Sequence, residues 1–314
     1  MSTLPRLDEP RPPGSGCQVP LPGGRGSLSD WHARRDAHRA RVAPLAADRV
    51  QRSGRKHPVY DFLFEYYSYR AAHLLRWSPG VNVVLEGATL ADTDWPHLFR
   101  ECDGGVVLPA DSFPEKRRAY LTWAIDYLRT TGDREPQFGC FGLHEWAMVY
   151  RTDDVRHSRV PLRIAAEPVV ESMPLRCSHY DAFRFFTPAA VPRNRVQLTR
   201  DITTEHDQPG CVHVTMDLYK FAYKLAPWVP SEVIAEAFEL AASARELDMR
   251  ASPYDLSEFG FTPIRIETKD GREEYMTAQR ELTRRAAPVR AKVLAVFVRL
   301  TNHMRHAEDA GGRR

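Results

Sequence analysis

Apolar residues recur at every third or fourth position along most of the chain, a spacing typical of helices with one buried face. The clearest case is 211–225, in which His213, Asp217, Lys220 and Lys224 form a polar stripe along one side. The same spacing predicts six further helices, at 31–52, 58–77, 114–131, 143–150, 232–250 and 277–306. Together these segments predict a mainly helical protein.

Strand-like patterns are confined to two short stretches. Residues 81–87 are typical of one strand. Ile264 and Ile266 alternate with polar residues ahead of an Asp270-Gly271 turn, and 273–276 are the predicted return strand. We therefore predict a mainly α (α+β) fold: a single helical domain with a small β-hairpin.

The N-terminal region differs from the rest of the chain in composition. Residues 1–27 are rich in Pro, Gly and Arg, which predicts a disordered arm. We interpret 28–56 as a basic helical extension and 57–308 as a single helical, catalytic domain. Residues 1–57 carry 11 Lys and Arg against 5 Asp and Glu, whereas the whole chain has a net charge of +3. This basic excess can contact nucleic acid or an acidic partner, or form a solvated helix without one.

Composition and missing motifs narrow the class of protein. The 314 residues are 43% hydrophobic and 27% charged, as in globular proteins. No apolar run is long enough to cross a membrane, and the N-terminus lacks the apolar core of a secretion signal. Five cysteines without a CxxC pair predict a cytoplasmic location. The absence of GxGxxG, HExxH, GxSxG and a Gly-rich phosphate loop disfavours kinases, Rossmann dehydrogenases, zincins and α/β-hydrolases.

The segment 137–151 (QFGCFGLHEWAMVYR) places His144 and Glu145 inside an apolar run that follows two glycines. Desolvation raises the pKa of a carboxyl group, which suits Glu145 to acid–base catalysis. Asp181 and Asp217, each close to a histidine in sequence, are the other candidate catalytic carboxylates, and His144 is a candidate partner. The alternative is a buried polar pair that fixes two helices together.

Cysteine and histidine recur at close spacing, which raises the alternative of a metal site. The pairs are Cys140 and His144, Cys177 and His179, and Cys211 and His213. His213 and Asp217 are one helical turn apart, so His179, His213 and Asp217 could bind a divalent metal with Glu145 nearby. The pattern matches no established zinc spacing, and Lys220 favours an ion-paired face. The primary prediction is therefore an enzyme without a metal or other cofactor.

Aromatic residues are dense at 58–77 and occur again beside Glu145. Tyr66, Tyr69 and Trp146 could stack on a flat ligand such as a base, although a core helix with amphipathic tyrosines also explains the pattern. His179 is a further candidate for substrate binding. Arg250 could hold a phosphate or carboxylate, or pair with a nearby aspartate.

Five segments resemble a bacterial family commonly named 3-methyladenine DNA glycosylase. They are HPVYDFLFEYYSYR (57–70), FGCFGLHEWAMVYR (138–151), RCSHYDAFRFFTP (176–188), PGCVHVTMDLYKFAYKL (209–225) and LDMRASPYDL (247–256). The resemblance covers residues from about 31 to the end of the chain. It implies a hydrolase that acts on damaged DNA in DNA repair, and it assigns no catalytic residue by position.

The leading hypothesis is an enzyme that cleaves the N-glycosidic bond of an alkylated purine in base-excision repair. One of Glu145, Asp181 or Asp217 would stabilise the oxocarbenium-like state, while the aromatic residues stack the extruded base. The first alternative is a metal-dependent helical enzyme that acts on a small molecule. The second is a non-enzymatic protein that binds a ligand in an aromatic pocket.

Overall fold

The computed structural model describes residues 25–26, 28–51, 57–155 and 159–311. The prediction of a mainly helical fold with a small sheet is confirmed. The helices are α1 (Leu28–Gln51), α2 (Asp61–Tyr66), α3 (Ala71–Leu74), α4 (Arg118–Gly132), α5 (Leu143–Ala147), α6 (Glu167–Ser172), α7 (Tyr180–Phe183), α8 (Thr203–His206), α9 (Val212–Lys224), α10 (Ser231–Arg250) and α11 (Lys269–Gly311). The strands are β1 (Arg25–Gly26), β2 (Val84–Glu86), β3 (Arg100–Cys102) and β4 (Gly105–Val107). The predicted disordered arm lies outside the described residues, except for β1.

Helix α9 is the centre of the fold. Ten of its 13 residues are buried, including the polar side chains of His213, Thr215 and Asp217. A polar side chain enclosed on all sides must find hydrogen-bonding or ionic partners, because burial without them is costly. The amphipathic pattern of 211–225 therefore predicts the helix correctly. The first two residues of its polar stripe, His213 and Asp217, are however buried in the protein interior.

Helices α10 and α11 enclose α9. Helix α10 packs along α9, and α11 packs against α4, α9 and α10. Ala235, Ala237, Ala241 and Ala244 of α10 are all completely buried, and such small side chains let helix backbones approach closely. The buried apolar side chains of all these helices belong to one continuous cluster. No helix among the described residues has the length and hydropathy needed to span a membrane.

The small sheet has the strand order β1-β2-β4-β3. Strand β4 pairs antiparallel with β2 and β3, whereas β1 pairs parallel with β2. The β3–β4 connection is the only hairpin among the described residues, and its turn contains Gly104 at φ +78°. A Cβ on Gly105 would lie 2.1 Å from the carbonyl oxygen of Leu85, so the close approach of β2 requires glycine.

The hairpin predicted at 264–276 is wrong, because 264–268 form an irregular turn and 269–276 form the start of α11. The amide of Gly271 donates to the hydroxyl of Thr268 (3.0 Å), which caps the first turn of the helix. A Cβ on Gly271 would lie 1.9 Å from the carbonyl oxygen of Arg265. Glycine is needed here for close backbone approach, and not for the tight turn that the Asp270-Gly271 pair predicts.

The helix predicted over 58–77 is also wrong as a continuous element. It is divided into α2 and α3 by Ser68, which has a left-handed backbone conformation at φ 55°. The amide of Tyr69 closes the end of α2 by donating to the carbonyl of Phe64 (2.9 Å). Tyr66 and Tyr69 therefore do not lie on one continuous helix.

Candidate metal centre

A polar cavity of about 470 Å³ opens beside the central helices. Its wall comes from 134–144, 176–178, 195–213 and two residues of α11. His144 and His213 lie at its inner end, where they are buried, whereas Arg176 and Arg195 at the rim are exposed. The cavity therefore leads from a basic mouth to a pair of buried imidazole rings.

Three buried side chains from separate helices converge at this inner end. His144 of α5, His213 of α9 and Asp248 of α10 each offer one ligand atom, and these atoms all lie within 4.8 Å of one another. The two imidazole rings are 4.5 Å apart between centroids and inclined by 72°. This is the only such group of three among the residues that the structure describes.

The contact between His144 and Asp248 is short but not a well-formed hydrogen bond. Nε2 of His144 lies 2.7 Å from Oδ1 of Asp248. Neither atom meets the geometry of a hydrogen bond with the other or with any described residue. Burial alone lowers the pKa of His144, yet the charge of Asp248 and contacts with Asp248 and Cys140 outweigh it and raise this pKa well above 6.5. The protonated form of His144, paired with the carboxylate of Asp248, is thus favoured.

A second layer of side chains holds these groups in place. Sγ of Cys140 lies 3.7 Å from Nδ1 of His144, on the side of the ring away from Asp248. Nη1 of Arg245 donates to Oδ2 of Asp248 (2.9 Å) and to Oε1 of Glu145 (2.6 Å). Outer contacts of this kind fix the orientation of metal-ligating His and Asp side chains.

His179 lies behind the cluster and does not join it. Its ring stacks on His213, with centroids 5.2 Å apart and an interplanar angle of 10°. Nδ1 lies 2.9 Å from Oδ1 of Asp207, whose Oδ2 accepts a hydrogen bond from Tyr127 (2.6 Å). Burial alone lowers the pKa of His179, but the charge of Asp207 outweighs it and raises the pKa.

The alternative ligand set predicted from the sequence, His179, His213 and Asp217, is not the one that the structure assembles. Both carboxylate oxygens of Asp217 are occupied: Tyr67 donates to Oδ1 (2.8 Å), and the ammonium group of Lys220 contacts Oδ2. Nε2 of His179 is 4.0 Å from that same oxygen. His213 is the member of the predicted set that joins the cluster, and Asp248 takes the place of Asp217.

The predicted catalytic carboxylates are dispersed. Glu145 is buried against Arg245, and Asp181 pairs with Arg184 at 3.1 Å near the surface. With Asp217 held by Lys220, none of the three lines the cavity. Of the predicted catalytic residues only His144 does so. The structure thus favours the interpretation of Glu145 as part of a buried pair that joins two helices.

The predicted substrate-binding residues are also separated from the cavity wall. Tyr66 and Tyr69 belong to an aromatic cluster around Tyr67, and the hydroxyl of Tyr69 donates to a backbone carbonyl. Trp146 is fully buried and donates to the carbonyl of Ala251 (2.9 Å). Arg250 donates to a backbone carbonyl at 262 and pairs with a surface glutamate. The structure does not bring these side chains together around one ligand.

Sequence reasoning misses two residues of the cavity region. Asp248 follows Arg245 by three positions on the alanine-rich face of α10. Two charged residues on an otherwise apolar helix face are the sequence feature from which Asp248 could have been identified. Gln279 of α11 is buried in the cavity wall and donates to the carbonyl of Gly210 (2.7 Å). This bond leaves its Oε1 without a hydrogen-bond partner among the described residues.

The chain matches no protein-family model, no curated protein and no solved structure. The interpretation of the cavity therefore depends on its own chemistry.

Proposed function

We propose that the protein binds a divalent transition metal through His144, His213 and Asp248 and uses it to hydrolyse a small polar substrate. The observation that carries this proposal is the convergence of three buried ligand atoms at the closed end of a polar cavity. Nε2 of His144 and Oδ1 of Asp248 lie 2.7 Å apart, close enough for both to contact one cation.

The donor set suits a catalytic metal. Two histidines and one carboxylate bind zinc or iron and leave coordination positions open, whereas structural zinc sites use four protein ligands. His144 and His213 both face the cavity, so the open positions would face it too. A metal held by these residues would lower the pKa of bound water and so would supply a nucleophile at neutral pH.

The surrounding side chains support hydrolysis at this point. The carboxylates of Glu145 and Asp217 are held by cations and do not line the cavity, so water would be activated by the metal and not by either carboxylate. Gln279 belongs to the cavity wall, and its buried Oε1 is an acceptor available to an N–H or O–H group of the substrate. A metal and one fixed acceptor together orient a small molecule.

The test is the metal content of the purified full-length protein and of two variants. We expect the wild type to retain a single equivalent of metal, or to take it up when zinc, manganese, cobalt or iron(II) is added. Asp248→Asn removes a ligand and should lose this metal. Asp217→Asn is the matched control, since Asp217 is equally buried but bound to Lys220 and Tyr67.

Hydrolysis of p-nitrophenyl acetate and p-nitrophenyl phosphate gives the second readout. Turnover should require metal and disappear in Asp248→Asn. Failure of the wild type to bind any of the four metals would refute the proposal. Equal loss of metal from both variants would show that the ligand set is incorrect.

Base excision is the second candidate function, since the cavity has room for a purine and a basic rim suited to phosphate. In this proposal the protein acts in the cytoplasm on alkylated DNA. Release of methylated purine from alkylated duplex DNA, measured with and without EDTA, distinguishes the candidates. Release that persists in EDTA and in Asp248→Asn supports a metal-free glycosylase, and release lost in both assigns glycosidic hydrolysis to the metal. The absence of any release removes this candidate.

A further inference from the structure

Arg176 and Arg195 are held side by side at the mouth of the cavity. Leu175 and Asn194 form a parallel backbone bridge, and the amide of Arg195 donates to the carbonyl of Leu175 (3.0 Å). Paired extended segments lie about 4.8 Å apart. The two residues that follow a parallel bridge, one on each segment, therefore point to the same side of the pair. The two arginines are therefore neighbours in the cavity rim.

The buried side chain of Asn194 fixes this arrangement. Its Oδ1 accepts from the amide of Cys177 (2.9 Å), and its Nδ2 donates to the carbonyl of Cys177 (3.0 Å). Arg176 thus lies in a segment that is held on both sides. Its guanidinium group lies against Gly139, where a Cβ would be 3.4 Å from Nη1. This contact places the charge on the cavity wall.

Neither guanidinium group has a salt-bridge or hydrogen-bond partner among the described residues. The rim carries one further cation, Arg134, which is engaged with the carbonyl of Asp207 (2.6 Å), and one carboxylate, Glu205. Like charges directly opposite each other on paired segments are destabilising. An anion between them reverses this effect, because arginine binds carboxylate and phosphate through parallel charged hydrogen bonds.

We propose that the Arg176 and Arg195 pair is the binding site for an oxyanion group of the substrate, either a phosphate or a carboxylate. This inference rests on the proposed function, which places hydrolysis at His144 and His213. The oxyanion group would then bind at the rim of the cavity, and the bond to be hydrolysed would lie deeper, at these two histidines. The substrate is then a small acidic molecule that enters the cavity with its charged end outermost.

Isothermal titration of the full-length protein with inorganic phosphate and with acetate tests this site. The titration is carried out after EDTA treatment, so that neither anion can bind through a metal, and is repeated with metal added back. The double variant Arg176→Gln/Arg195→Gln should bind the preferred anion at least about tenfold more weakly. The loss of one charged hydrogen bond lowers an affinity by about this factor. Arg200→Gln is the control, because Arg200 belongs to the same loop but lies outside the cavity wall.

Unfolding in urea provides an independent readout. The preferred anion should raise the midpoint of the wild type and of Arg200→Gln but not that of the double variant. Tighter binding of phosphate than of acetate identifies a phosphate substrate, and the reverse order a carboxylate. The proposal is overturned if the wild type binds neither anion, or if the double variant binds as tightly as the control. Metal content is measured on the same samples, so failure of the metal site is recorded separately.

Discussion

Replacement of Arg245 by methionine tests the buried charge network that supports the candidate metal centre. Arg245 is fully buried, donates to Glu145 and Asp248, and its guanidinium carbon lies 3.7 Å from the centroid of the Phe62 ring. Methionine fills much of the same volume but removes the buried cation that Glu145 and Asp248 share. Removing one partner of a buried ion pair costs about 3–5 kcal/mol, and we expect a loss in the free energy of unfolding of at least this size.

The assay is urea unfolding at neutral pH, in EDTA and with metal added. Arg250→Met is the control, since Arg250 belongs to the same helix. Its salt bridge to Glu274 is exposed, and the two charged groups are 3.5 Å apart. Such a pair contributes about 0–1 kcal/mol. Added metal should stabilise Arg245→Met more than the wild type, because a cation bound at Asp248 replaces part of the lost charge. If Arg245→Met is no less stable than Arg250→Met, the buried network does not stabilise the fold as we argue.

Three further perturbations examine other parts of the structure. Cys140→Ala should weaken metal affinity about 10-fold or more in a metal titration, because the contact from Cys140 orients His144. Cys140→Ser should retain most of the wild-type affinity, and the control Cys102→Ala should retain all of it. Equal affinity in the alanine and serine variants contradicts this role. Burial lowers the pKa of His38 in the folded protein. The free energy of unfolding should therefore fall as the pH decreases through about 6.5, where His38 of the unfolded chain takes up a proton. A His38→Gln variant whose stability has the same dependence on pH removes this assignment. Gly142→Ala should destabilise the protein by about 1–2 kcal/mol in urea, because φ is +71° at Gly142; an unchanged midpoint contradicts it.

The helices could be predicted where one face is apolar over several turns. The predicted range 232–250 agrees with α10 to within one residue, and 211–225 exceeds α9 by two residues. The predictions fail where a local contact decides the backbone. Ser68 interrupts a strongly aromatic stretch, and the glycine at 271 serves close packing against Arg265. Neither contact can be inferred from the spacing of apolar residues alone.

The candidate site was only partly predictable for a related reason. His144 and His213 stand out because they are polar residues in apolar segments, and the structure brings both to the cavity. Which carboxylate accompanies them depends on how α10 packs on α9, and the sequence favours Asp217 because it follows His213 by one turn. The structure instead directs Asp217 to Lys220, and Asp248, 35 residues beyond His213, faces the histidines.

The origin of the three ligands in α5, α9 and α10 has a consequence for hydrogen exchange. Helix α5 is distant in sequence from α9 and α10, and His213 and Asp248 lie at the outer ends of these two consecutive helices, so the site exists only when all three are docked. A metal at about 100 times its dissociation constant would reduce the population of the open state about 100-fold. Amide exchange in α9 and α10 should then slow together, as one cooperative unit, while exchange in the strands β3 and β4 changes less. Metal occupancy would thus be readable from backbone amides far from the cavity.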